Sequence, residues 1–102
     1  MNSITANELS INSHGLSFLC AFGTHINGGW CAILNFGVSC ELATFPDSTG
    51  ENADKIAYAL ENCPADERKW LPKNSAAVSE IAMELSKTIT KYIAEGGCSS
   101  DV

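Results

Sequence analysis

The side chains with most chemical potential in this chain are two histidines, five cysteines and a run of carboxylates. Cys20, His25 and Cys31 would offer two thiolates and an imidazole to a metal ion. A closed zinc site, however, takes four ligands at short paired spacings, and no Cys-x-x-Cys occurs. Strand alternation also turns Cys20 into its own sheet face, so His14 and His25 read as turn residues and no metal or other cofactor is expected. A Cys–His nucleophile pair needs its members only to meet in space. A small Cys/His enzyme is therefore one reading, on condition that Cys20, His25 and Cys31 converge on one pocket. Asp47-Ser48-Thr49-Gly50 has nearly the composition of an aspartic-protease loop, but with one residue too many, and that chemistry needs two carboxylates sharing a proton. Glycine-rich phosphate cradles are absent. No catalytic residue is assigned, and the chain is expected not to be an enzyme.

The carboxylates carry more. Residues 1–40 hold one charge, Glu8, whereas residues 41–67 hold Glu41, Asp47, Glu51, Asp54, Glu61, Asp66 and Glu67 against Lys55 alone. At 100° per residue, Glu51, Asp54, Lys55, Tyr58, Glu61 and Asn62 share one side of a helix whose other side is Ala53, Ile56, Leu60 and Cys63. A rise of 1.5 Å per residue sets Glu51 and Asp54 about 4.5 Å apart along the axis and Asp54 and Glu61 about 10.5 Å apart. Such a row is comparable with phosphates along a nucleic-acid strand and suits a groove lined with Lys and Arg. Glu51, Asp54 and Glu61 are the expected contacts, with Asp47, Asp66 and Glu67 secondary. Tyr58 and Trp70 are the aromatic candidates for desolvated anchors. The competing reading is a solvated face that only keeps the protein soluble.

These residues must be positioned by a framework, and its pattern changes midway. Leu16, Phe18, Cys20 and Phe22 alternate with Ser17, Leu19, Ala21 and Gly23, and Trp30, Ala32, Leu34 and Phe36 alternate with Cys31, Ile33 and Asn35. Asn27-Gly28-Gly29 between them supplies a hairpin turn. Val38, Cys40 and Leu42 then face one way in a third strand. Glu8 to Ile11 is either a fourth strand before an Asn12-Ser13-His14-Gly15 turn or the end of a short helix. The second half is helical. Ser48-Thr49-Gly50-Glu51 has the spacing of a capping box, and Pro64 is placed to open a short helix that stops near Leu71-Pro72. The longest helix spans about 74–95, with Val78, Ile81, Ala82, Leu85, Ile89, Tyr92 and Ile93 in one stripe and Gly96-Gly97 as the stop. The predicted fold is a two-layer α+β domain: an antiparallel meander of three or four strands packed by two or three helices.

The 102 residues suffice for one domain, read as 1–97 with a flexible tail 98–102. With 45% apolar and 18% charged residues the composition is globular. A net charge of −6 excludes nucleic-acid binding through a broad basic face. No apolar run reaches the roughly 18 to 20 residues of a membrane span, and the start lacks the pattern of a secretory signal. Four of the cysteines lie in apolar or helical patterns, which fits reduced thiols in a cytoplasm, while Cys98 sits in the polar tail and is expected to be exposed.

The segment NGGWCAILNFGVSCELATFPDSTGENADKIAYALENC resembles small phage- or plasmid-type proteins, and in size and charge the chain is similar to small anti-CRISPR proteins, most nearly the inhibitors of type I-F surveillance complexes. That resemblance implies a non-enzymatic inhibitor in the host bacterial cytoplasm. It would occupy the DNA-binding surface of the Cas complex, as a DNA mimic, with carboxylates where target phosphates lie. An immunity- or antitoxin-like protein neutralising a basic toxin nuclease makes the same electrostatic demand.

Overall fold

The computed structural model describes residues 7–25 and 28–95. Four strands, β1 (Asn7–Ser13), β2 (Leu16–His25), β3 (Gly28–Ile33) and β4 (Val38–Leu42), form an antiparallel sheet in the order β1-β2-β3-β4. Three helices follow: α1 (Thr49–Glu61), α2 (Ala65–Arg68) and α3 (Ser75–Ala94). The result is the predicted α+β arrangement of two layers, with the fourth strand present. No helix among the described residues is long and apolar enough to cross a membrane.

Glu8 to Ile11 belongs to a strand because Leu9 and Ile11 turn toward the core while Glu8, Ser10 and Asn12 are exposed. The turn after it is tighter than predicted. Asn12 and Ser13 remain paired in β1, and only His14 and Gly15 reverse the chain, both at positive φ (53° and 77°), as a two-residue hairpin that follows the sheet twist requires. Gly28 and Gly29 are strand residues paired with His25 and Thr24. Asn27 lies outside the described residues, as do Gly96-Gly97, Cys98 and the 98–102 tail.

The strand expected to run to Phe36 ends at Ile33. Leu34–Phe36 form a single 3-10 turn closed by Gly37 at φ 66°. The face assignment shifts with it: Cys31 and Ile33 are buried and Trp30 and Ala32 lie on the outer side. Gly23, directly opposite Trp30, has no room for a Cβ because the indole covers it. Asn35 extends the ladder where β3 stops. Its Oδ1 accepts from the Leu19 N–H at 3.1 Å and its Nδ2 donates to the Ser17 carbonyl at 2.6 Å.

The core lies between the inner sheet face and α1 and α3. Phe18, Cys20, Phe22, Cys31, Ile33, Cys40 and Leu42 meet Ile56, Leu60, Ile81, Leu85 and Ile89. The stripe predicted for α3 is the buried one, except that Tyr92 is half-buried against the Phe22 ring, 4.9 Å between centroids.

Helix starts differ in detail. Asn74 caps α3, its Oδ1 accepting from the Ala76 N–H at 2.8 Å. The capping box at Ser48 does not form. Ser48 is buried and makes no side-chain cap bond; only its carbonyl joins the helix, accepting from the Asn52 N–H at 2.8 Å. Pro64 stands at the N-cap of α2, with ψ of 146°, one position earlier than expected.

Candidate protein-binding groove

The helix that carries the acidic row is held in place by a residue the sequence reading passed over. Asn52 is fully buried between α1, α3 and the segment after β4. Its Oδ1 accepts from the Ala43 N–H at 2.9 Å and its Nδ2 donates to the Ala43 carbonyl at 3.1 Å and to Thr90 Oγ1 at 3.1 Å. Ser86 Oγ donates to the Thr49 carbonyl at 2.6 Å and lies 3.4 Å from Thr90 Oγ1. With the Ser86 proton committed to Thr49, the Thr90 hydroxyl donates to Ser86, so the donors run one way from Asn52 through Thr90 and Ser86 to Thr49. The Thr90 and Ser86 hydroxyls each give one hydrogen bond and accept one, so both are satisfied.

Held this way, α1 turns Glu51, Asp54, Lys55, Tyr58, Glu61 and Asn62 to solvent and buries Ala53, Ile56, Leu60 and Cys63, as the helical spacing predicted. The face is not uniform. Lys55 Nζ lies 3.5 Å from the Glu51 carboxylate and donates to the Glu41 carbonyl at 3.1 Å, tying α1 to β4. Beside that tie runs a shallow groove of about 600 Å³ lined by Val38, Ser39 and Glu41 from β4, by Asp54 and Tyr58 from α1, and by Asn62 at the cap of that helix. Tyr58, 71% exposed, stands over it.

The predicted contact residues thus divide. Asp54 and Tyr58 share the groove, while Glu51 flanks it beside Lys55. Glu61 lines a separate depression with Arg68, Lys69 and Lys73. Asp66 and Glu67 are in the first turn of α2 and Asp47 is exposed in the loop before α1. None of these three lines the groove. Trp70 is exposed, 64%, with Lys69 Nζ at 5.7 Å from its ring centroid, also away from it. The residues the sequence reading missed are Ser39 and Glu41; their alternation out of the core and the edge position of β4 in a meander were legible, but not that α1 would lie beside that edge.

The other chemistry resolves locally. Cys20, Cys31, Cys40 and Cys63 are unbridged and buried, with Cys31 and Cys40 directly paired across β3 and β4. The Cys31 thiol hydrogen-bonds to Cys20 and draws its pKa down against burial. Burial, with a smaller contribution from Cys20, pushes the Cys40 thiol up to about 11, and Lys55 opposes both. The backbone of His25 pairs with Gly28 at the far end of β2, five residues from Cys20, or about 16 Å along the strand. Among the described residues no group of three His, Cys, Asp or Glu could hold a metal. His14 Nε2 meets Glu80 Oε1 at 3.1 Å, and the buried Ser13 hydroxyl donates to Glu84. The Ser13 Oγ also lies 3.3 Å from His14 Nδ1, and together these contacts fasten the first hairpin to α3.

Residues 1–65 match the sequence profile of a family of unknown function (DUF6618). That segment contains β1 to β4 and α1, so both walls of the groove fall inside it. No curated protein and no solved structure matches the chain.

Proposed function

The chain belongs to that family, DUF6618, and we propose that it is a binding protein that docks the α1–β4 face on a basic surface of a nucleic-acid-binding protein or ribonucleoprotein. What carries the reading is Asp54 and Tyr58 on one wall of a groove and Glu41 on the other, with Glu51 alongside. It is a solvent-exposed concavity that combines negative charge with an aromatic ring. Electrostatic attraction would raise the association rate, and a desolvated Tyr58 would slow dissociation. A protein that covers a nucleic-acid site in this way acts as an inhibitor without catalysing anything. A type I-F Cas surveillance complex is a partner of that chemistry and the first to test, with occlusion of its target-DNA site as the expected effect.

The test is capture of the purified complex by the wild-type chain and by a Glu51→Lys, Asp54→Lys, Glu61→Lys variant, across a salt series. Binding that falls at least tenfold in the variant and weakens steeply with salt supports the reading. Binding that the reversals leave unchanged moves the site elsewhere. Capture of a basic nuclease instead of a Cas complex would point to an immunity role for the same face.

A further inference from the structure

One wall of the groove is backbone. Lys55 reaches the Glu41 carbonyl from outside β4, so the peptide groups of Glu41 face away from β3. In an antiparallel pair the N–H and C=O of a residue point to the same side, and that side alternates along the strand. Ser39, two residues earlier, therefore turns both groups outward, and so does Ala43, two residues later. The Asn52 carboxamide satisfies Ala43, and Lys55 takes the carbonyl of Glu41. Among the described residues nothing meets the N–H and C=O of Ser39. Open space flanks this position on both sides: the groove against α1, and a hollow of about 340 Å³ bounded by Trp30, Ser39, Cys40 and Glu41 on the outer sheet face.

We propose that β4 accepts an extended lysine- or arginine-bearing segment of the partner as a fifth strand, hydrogen-bonded to Ser39. This rests on the basic-partner reading above and specifies how that partner is held. Main-chain bonds to a sheet edge give affinity, and alternate side chains give specificity. Side chains on one side of such a strand would enter the groove toward Asp54 and Tyr58. Those on the other side would pass over Glu41 and Trp30. Cations suit both sides, because Asp54 and Glu41 stand one on each. The same charges disfavour a second copy at this edge, since joining two β4 strands would bring together two chains of net charge −6 with their Glu41 and Asp54 residues close.

Two peptides of equal charge test this: a seven-residue peptide of alternating lysine and valine, and a counterpart methylated at every peptide nitrogen, which has no N–H to offer a ladder. The expected result is binding of the first at least ten times tighter than the second, with the Ser39 amide gaining protection from hydrogen exchange. Ser39→Pro should reduce the preference to near unity. A proline is tolerated on an edge strand where its missing N–H faces solvent, and the exchange measurement on the wild-type chain stands even if that variant folds poorly. Equal binding of both peptides, or an unprotected Ser39 amide in the bound state, overturns strand addition and leaves electrostatic docking intact. If neither peptide binds and the charge reversals leave capture unchanged, both readings fall. A dimer that protects Ser39 without peptide overturns the choice of occupant.

Discussion

The carboxamide of Asn52 stands to Ala43 as a neighbouring strand would, accepting from its N–H and donating to its carbonyl at 2.9 and 3.1 Å. It closes the β4 edge at the end where α1 begins. Replacing Asn52 with Ala leaves both Ala43 groups and the Thr90 hydroxyl short of partners in a buried place, which should cost about 2–4 kcal/mol of stability. Thr90→Val, which removes one link and keeps the shape, should cost about 1 kcal/mol. Urea denaturation of the three proteins orders these effects; an Asn52→Ala variant as stable as the wild type would show that water replaces the carboxamide.

Gly23 and Trp30 make a second pair whose members depend on each other. Gly23→Ala puts a methyl group into the indole and should destabilise by about 1–3 kcal/mol. In the Trp30→Ala background the same change should cost little, because the obstacle has gone. Thermal unfolding of the four-member cycle should give a coupling energy above about 0.5 kcal/mol, and additive effects would rule the contact out as the reason for the glycine.

Much of the framework was legible because apolar spacing reports burial directly. The alternation in β2 and β4 and the stripe of α3 were correct, and so was the division of α1 into a wet and a buried side. What escaped were contacts between residues distant in sequence. Ser48 and Glu51 have the spacing of a capping box, yet Ser48 is buried against the fold and its side chain makes no cap bond. Asn52 carries no local signal of its role, because the segment it completes lies nine positions earlier and comes beside it only in the fold. The groove was half legible: α1 supplied Asp54 and Tyr58 and the meander order puts β4 at an edge, but that α1 lies along that edge depends on packing that charge and periodicity do not encode.

Cys40 predicts an alkaline limit. Its folded-state pKa, raised to about 11 from 9.0, means that above pH 9 the unfolded chain sheds this proton more readily than the folded one. The contribution is therefore whole below pH 9 and is lost between pH 9 and 11, amounting to about 2–3 kcal/mol. Cys20, shifted downward, works in the opposite direction, so the measurement is a difference. In reductant, the stability of Cys40→Ala relative to wild type should improve across that interval. A constant difference from pH 8 to 11 would contradict the assignment.

The hairpin at His14 separates backbone from side-chain effects. At φ 53°, His14→Val should cost about 1–2 kcal/mol from the left-handed conformation alone. His14→Gly relieves the backbone and loses the imidazole's contacts with Glu80, Glu84 and the Ser13 hydroxyl, together worth about 1 kcal/mol or less at a half-exposed site. Thermal melts should rank wild type and the glycine variant close together, with valine well below. Equal losses for glycine and valine would place the energy in the imidazole.

The order β1-β2-β3-β4 also bears on how the chain folds. Every strand lies beside its neighbour in sequence, so the sheet assembles by successive hairpins without first closing a long loop. The ties from Ser13 and His14 to α3 span 71 and 66 residues and belong to the slow end of the process. Register within the sheet is therefore set by short-range closure, and folding is completed where the first hairpin meets the last helix.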